Sequence, residues 1–494
     1  MRQRALFHCL AILMIGWFCV VAIILTKPSA LIPPPAPFQP STTTIPVPLE
    51  DPRLMHDAFR YKESWSVADG TRIILLPHHL IGAKGIASLV SAVPEPTTVY
   101  YLAPDHLSGG DTAFSTTDAP LVTAEGGSSP NLVLHQDLLE TVPSLSNNTR
   151  AFLHEPSALA PIPYFKEAWP NTLVTPILVK LNATEKEQRE LIDALRTKLE
   201  QDPSALLVSS IDFSHYQTVQ VADFHDLIAE DALRALDVES TSSLEIDSPP
   251  IFRMTALMAR ELGLGQVTIH DHTNSLTLLR SVYGKESTSH FYASFSPGAF
   301  AQREIVSLLL LGTLDNQAST STLLSMSGTE NRFFSGQDMR FFSTDAPRTV
   351  TLQSAGYSLH IEGIQTSKTA TVTHLKTPTF PVDLIAMDKP MTVEDETDLL
   401  TKVKASRESG AHVIAWIKWR NQAKASPANS EQRLAESLID AGAEAVVGIT
   451  PQQDPSFASY KGKPIVFSLG NVKQAFGLVL NKDHADPLLI HLTK

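Results

Sequence analysis

From about residue 70 onward, short β-rich runs alternate with stretches of helical period, and this alternation leaves few folds open to the chain. It implies an α/β protein, a sheet with helices on both faces. Strands are expected at 72–76, 98–102, 173–180, 205–209 and 266–270, with helices at 185–201, 219–236 and 250–262. A second α/β segment opens near Ile305 with the run VSLLLLG. It continues through a helix at 396–409, a strand at 413–417, a helix at 431–441 and strands at 445–447 and 464–467. A chain of 494 residues exceeds one ordinary core, so two α/β domains are expected.

The first 50 residues follow different rules. Residues 5–25 contain no Asp, Glu, Lys or Arg, a run long enough to cross a hydrocarbon core as a helix. Arg2 and Arg4 before it favour a cytoplasmic N-terminus with the rest of the chain outside. A cleaved signal peptide is the competing reading, but Ser29-Ala30-Leu31 makes a poor cleavage site. The prolines between 28 and 50 read as a stiff spacer. The expected organisation is an anchor at 1–27, a linker at 28–50, a first domain at 51–304 and a second at 305–494, in a cell-membrane protein whose globular parts are extracytoplasmic. A formal net charge of −13 argues against nucleic acid as a partner. Both cysteines, Cys9 and Cys19, lie in the apolar run, so any metal site in the globular part must use His, Asp and Glu.

Histidines fall where such a site would need them. The run RIILL leads into Pro77-His78-His79, and TTVYYL leads into Ala103-Pro104-Asp105-His106. ALLVSS leads into Ile211-Asp212-Phe213-Ser214-His215, and QVTIH into Asp271-His272. Four β-like runs thus each deliver His, with Asp beside it in three of them, just past their carboxyl ends, where open α/β sheets place ligands. Neutral imidazole and carboxylate suit Zn, Fe, Cu or Mn, and an unligated His transfers protons near neutral pH. A single His after one strand is most simply a loop residue; the repetition in equivalent places is what points to a site. His79, next to His78 on extended chain, faces the opposite side.

These residues resemble the Memo family. Pro77-His78, Ala103-Pro104-Asp105-His106 and Ser209-Ser210-Ile211-Asp212-Phe213-Ser214-His215 are similar, in order, to its P-H-A-G, G-P-S/N-H and S-S-D-F-x-H patterns. Residues 155–164 look like its E-H-S-x-E…P segment, Thr175-Pro176-Ile177-Leu178-Val179 like its P-I-L-V strand, and residues 289–298 like its closing strand. The family includes the bacterial AmmeMemoRadiSam system protein B and shares its fold with the extradiol ring-cleaving dioxygenases. The resemblance implies His78 and His106 as metal ligands and Asp212 with His215 as an acid/base pair. The family's third ligand, a Cys, has no Cys here; Asp247 or Ser248 lies nearest its position. Asp247 would complete two His and one carboxylate, the set suited to non-haem iron. The chain departs from the pattern after His79, where Leu80 follows, and at His154-Glu155, which reverses the order of E-H.

The second segment resembles the CapA family of capsule and poly-γ-glutamate synthesis proteins, which have a calcineurin-like metallophosphoesterase fold. The resemblance rests on LIDAGAEAVV at 438–447 and on YKGKPIVFSLGN at 460–471. The family's ligand positions are altered: Gly448-Ile449-Thr450-Pro451-Gln452 stands for G-H-H-P-H, Lys418-Trp419-Arg420 for H-W-G, and Gly312-Thr313 for the opening G-D. A dinuclear phosphoesterase cannot work without those ligands. His360, His374, His412, His484 and His491 match none of the family's positions and read as surface or structural residues.

The expected function is that of a membrane-anchored, Memo-like metal-binding protein holding one divalent transition metal (Fe, Cu or Zn). Its chemistry would be oxidation or hydrolysis of a small molecule, beside a degenerate, non-catalytic second domain. The alternative is an envelope protein that only binds, with surface polysaccharide or another cell-surface component as its ligand.

Overall fold

The computed structural model describes residues 43–47, 52–123, 126–241, 244–281, 286–313, 339–343, 349–354, 357–377, 379–390, 392–419, 427–449, 456–470 and 475–492. The expected anchor at 1–27 lies outside them, as does most of the linker. No helix among the described residues is long and apolar enough to cross a membrane.

In chain order the first half contributes β1 (Ile45–Pro46), β2 (Ile73–Leu76), β3 (Thr98–Pro104), β4 (Phe114–Thr116), β5 (Leu121–Thr123), β6 (Gly126–Ser128), β7 (Leu145–Asn147), β8 (Leu173–Val179), β9 (Leu206–Ser210), β10 (Phe213–Gln217), β11 (Gln266–Asn274) and β12 (Ser287–Ser296). Nine of these form one sheet, ordered β10-β12-β2-β9-β3-β8-β4-β7, with β11 also paired to β12. Its centre, β2, β9, β3 and β8, runs parallel. Every residue of β2, β3 and β9 is buried. That follows from their mostly apolar runs, since a central parallel strand is covered on both faces, and the buried Ser209 and Ser210 of β9 are met by Thr255 and His78.

The covering helices arise from ordinary local rules. Glu185–Gln201 begins with a capping box between Thr184 and Glu187 and buries a stripe of Gln188, Leu191, Ile192, Leu195 and Leu199, at helical spacing. Pro249–Glu261 starts with prolines in its first turn, where a missing N–H costs nothing. Val219–Arg234 stops short of the expected end because Leu236 takes a left-handed φ of +50°. The end of the Pro-rich stretch belongs to the fold. Ile45 and Val47 donate to the carbonyls of Pro120 and Val122, placing β1 beside β5. Pro46 tolerates this edge position because it needs no ladder donor.

The second half supplies β13 (Ile305–Thr313), β14 (Met339–Ser343), β15 (Thr349–Ser354), β16 (Tyr357–Ile364), β17 (Thr371–Leu375), β18 (Val382–Asp388), β19 (His412–Lys418), β20 (Ala445–Ile449), β21 (Ser456–Tyr460), β22 (Lys463–Ser468), β23 (Ala475–Asn481) and β24 (Leu488–Leu492). They make two six-stranded sheets, β15-β16-β14-β13-β23-β24 and β17-β18-β19-β20-β22-β21. The helices Val393–Glu408 and Asn429–Asp440 connect β18, β19 and β20, which run parallel. The architecture is therefore mixed α/β in both halves.

The halves share apolar packing. Leu309 and Leu311 of β13 and Ala475 and Val479 of β23 lie in one core with Phe213, Phe224 and Ile228. Helix Val219–Arg234 is the element between them, and it buries a broad face that includes Val221, Phe224, Ile228 and Leu233 while Asp223 and Leu227 stay exposed. Phe224 presses so closely on Gly477 that a Cβ there would sit 2.4 Å from its ring. Within the first half, just before β13, Arg303 and Asp231 form a buried ion pair of 2.8 Å.

Candidate metal centre

Three loops at the carboxyl edge of the parallel strands converge on one cleft of about 820 Å³. His78 follows β2 and His106 follows β3, while Asp212 follows β9. Asp247 precedes the helix Pro249–Glu261, and its N–H donates to the Asp212 carbonyl at 3.0 Å. All four line the cleft, together with His215.

Each histidine has one nitrogen held from behind and the other turned to the cleft. His78 Nδ1 is 3.0 Å from Ser210 Oγ, while its Nε2 lies 3.4 Å from Asp212 Oδ2 and 3.5 Å from Asp247 Oδ2. His106 Nδ1 is 2.9 Å from Glu155 Oε1, and its Nε2 lies 3.7 Å from the same Asp247 Oδ2. Glu155 is itself fixed: it is fully buried and accepts from Ser157 Oγ at 2.9 Å and from the N–H of Leu107 at 3.2 Å. A carboxylate on the far nitrogen sets the tautomer and aims the near nitrogen, as behind metal-binding histidines generally.

The donor set fits a divalent transition metal. Two ligands each about 2.0–2.1 Å from one tetrahedral zinc sit roughly 3.3–3.4 Å apart, close to the spacings around Asp247. Both Asp247 oxygens are buried without a hydrogen-bond partner, a costly state for a carboxylate that a cation would relieve. Proton and metal would compete here, because the Asp247 and Glu155 carboxylates push the His106 imidazole up to about 10 against the effect of burial. Burial by itself would raise the Asp212 carboxyl, but the imidazoles of His78, His290 and His215 outweigh it and hold that group below its usual range.

His215 reaches the cleft by another route than the one its sequence position suggests. It lies within the short strand β10, which bulges against β12 between Phe213 and Gln217. Tyr216, next to it, adopts a φ of +54°, a strained left-handed conformation for a tyrosine. His215, Asp212 and Asp247 each offer an atom within 4.8 Å of the others, as do His78, His106 and Asp247.

The fourth expected delivery does not occur. β11 continues past His270 to Asn274, paired along β12, so His270 and His272 sit on the strand rather than beyond its end. His272 bonds Asp226 at 2.8 Å, and Asp226 also accepts from Ser214, which ties β10 and β11 to helix Val219–Arg234. Asp105 also has a supporting role, accepting from the N–H groups of Gly109 and Gly110 and so holding the His106 loop. Of the pair Asp247 and Ser248, Asp247 carries the carboxylate facing both histidines; Ser248 is the residue before the helix.

Two residues of this site are missing from the sequence reading. Glu155 was visible only as half of a reversed motif. His290, wholly buried on β12, lies 3.4 Å from Asp212 Oδ1 and stacks on His79 at 5.6 Å. His290 gives no local signal, because it follows Ser287-Thr288-Ser289 in a strand rich in small polar residues; its meaning depends on a neighbour the local sequence does not show.

Among the described residues, the second half has no comparable His and carboxylate group at the matching edge. Lys418 ends β19, and Lys389, after β18, contacts Glu431 at 3.4 Å. Thr313 ends β13, while Thr450, Pro451, Gln452 and Arg420 lie outside the described residues. His412, Glu444 and His484 do cluster at the opposite edge, and His412 is buried rather than on the surface. Glu444 there already takes Lys463 at 2.7 Å and His484 at 2.9 Å, with Arg407 at 4.0 Å. Two fixed cations compensate that carboxylate, so the group reads as a charge network.

Comparison with known proteins agrees with both resemblances. Residues 54–248 match the family model for Memo-like protein, and residues 313–474 match that for bacterial capsule synthesis protein PGA_cap. The uncharacterized proteins y4sH and y4uA of Sinorhizobium fredii are each 53% identical to the chain over 45 residues, 9% of its length. The chain spans 10% of the length of these curated relatives. The crystal structure of uncharacterized protein JW3007 from Escherichia coli K12 aligns at 12% identity and a TM-score of 0.32, over 46% of this chain and 100% of that one. That likeness is too distant to carry an argument. The chain thus joins a Memo-like half to a PGA_cap-like half.

Proposed function

We propose that the first half, residues 51–304, is a metal-dependent domain acting on a small molecule, with one divalent transition metal held by His78, His106 and Asp247. The observation that carries this reading is the pair of imidazole nitrogens, 3.5 and 3.7 Å from one buried carboxylate oxygen whose carboxylate has no hydrogen-bond partner. When bound, such a metal acts as a Lewis acid or, for iron, supplies redox chemistry toward oxidation or hydrolysis. His215 and Asp212 handle the proton beside it. Leu80, Ile81, Leu181 and Tyr216 give the cleft an apolar wall, which excludes water from part of a bound molecule. The segment 1–27 anchors the protein in the cell membrane, with both halves outside.

Residues 305–494 serve a binding or structural role. Supporting this, Lys418 stands at the end of β19, where the resemblance to the CapA family implies a ligand histidine.

Metal analysis of the purified full-length chain tests the reading. The wild type should carry transition metal, and His78→Ala or His106→Ala should lower its affinity at least about 100-fold while leaving the circular dichroism spectrum unchanged. A wild-type chain that takes up no Fe, Cu, Zn or Mn would overturn it.

A further inference from the structure

We propose that the cleft is built for two divalent transition cations, with Asp247 bridging them. The first position is His78, His106 and Asp247, the second is Asp212, His215 and Asp247, and the proposal rests on the one-metal reading for the first. The observation is that both trios bring their ligand atoms within 4.8 Å of one another and share one member. A carboxylate has two oxygens and joins two cations readily; two-metal sites hold their ions about 3.5–4 Å apart, a separation one carboxylate spans.

Unmet polar atoms point the same way. Three buried carboxylate oxygens, Asp247 Oδ1, Asp247 Oδ2 and Asp212 Oδ1, have no hydrogen-bond partner. The Asp212 and Asp247 side chains are only 2% and 5% exposed. One cation between His78 and His106 satisfies a single oxygen of Asp247. Its other oxygen then stays desolvated without a hydrogen bond, and Asp212 Oδ1 has only the long contact to His290. A second cation answers both. The backbone bond from Asp247 N–H to the Asp212 carbonyl, 3.0 Å, fixes the two carboxylates side by side. His290 braces Asp212 from behind at 3.4 Å, as supporting groups do for metal-binding carboxylates. His215 and Asp212 then act as ligands, and proton transfer no longer falls to them.

The test is metal stoichiometry and spin coupling on the full-length chain, loaded anaerobically with Mn(II) and freed of excess metal. The expected result is about two ions per chain, with an exchange-coupled electron paramagnetic resonance spectrum in place of six isolated lines, as a shared carboxylate requires. His215→Ala should reduce this to one ion with an uncoupled spectrum. His215→Gln, closer in size, should do the same if the alanine variant folds poorly. One ion per wild-type chain with an uncoupled spectrum overturns the bridged pair and leaves the one-metal reading standing. No bound ion overturns both.

Discussion

The two halves place parallel strands with their carboxyl ends together, yet among the described residues only the first gathers imidazoles and a carboxylate there. In the first half, the ends of β2, β3 and β9 carry His78, His106 and Asp212, and a carboxylate from the next helix start closes the set. In the second, the ends of β18 and β19 lead into Lys389 and Lys418. The backbone geometry that gathers loops is common to both. What differs is the donor set gathered: two imidazoles around a carboxylate with no hydrogen-bond partner in the first, and in the second an ammonium already paired with Glu431. Fold without ligands is a scaffold, and the second half uses its scaffold for packing against helix Val219–Arg234.

The sharpest way to break this comparison is to silence one side. A His78→Ala/His106→Ala/His215→Ala triple variant of the full chain, which removes every imidazole of both cleft positions, should hold no stoichiometric metal and hydrolyse no p-nitrophenyl phosphate at any added metal concentration. Retained metal or metal-dependent phosphatase activity would show that the second half has a working site after all. A smaller effect tests how the first half aims its ligands. Glu155→Gln keeps the size of the side chain but removes the charge behind His106, and metal affinity should fall about 10–100-fold by equilibrium competition with a chelator. An unchanged affinity would make Glu155 a packing residue only.

The smallest expected effect concerns the second half's own histidine cluster. Burial, and then the neighbouring His484, push the His412 imidazole down to about 4. An unfolded histidine titrates near 6.5. Between these values the unfolded chain binds the extra proton, so stability is present above about pH 6.5 and is lost as pH falls towards 4. The melting temperature of wild type should therefore drop by roughly a few degrees more than that of His412→Gln over this range, read by differential scanning calorimetry. Parallel curves would remove His412 from the network.

Much of the site was legible in the sequence because its ligands follow strands that are recognisable one at a time. Ile73–Leu76 and Thr98–Pro104 are apolar runs with a histidine just beyond, and the carboxyl-edge rule then brings His78 and His106 together without knowledge of the sheet order. The rule fails at His272. The run that contains it continues as strand because β12 offers pairing partners up to Asn274, and local sequence cannot state how long a neighbour is.

By itself, the sequence determined the α/β class, because periodicity is a local property, and it carried the motifs by which each half resembles its family. It left Asp247 and Ser248 as alternatives. Only the tertiary structure shows that it is the Asp247 carboxylate that faces the two imidazoles. Only the tertiary structure supplied Glu155 and His290, whose parts depend on atoms 49 and 78 residues away, Glu155 against His106 and His290 against Asp212. It also decided that the halves share a core through Phe224 and Gly477, since a phenyl ring packs on bare backbone only where two distant segments are brought into register.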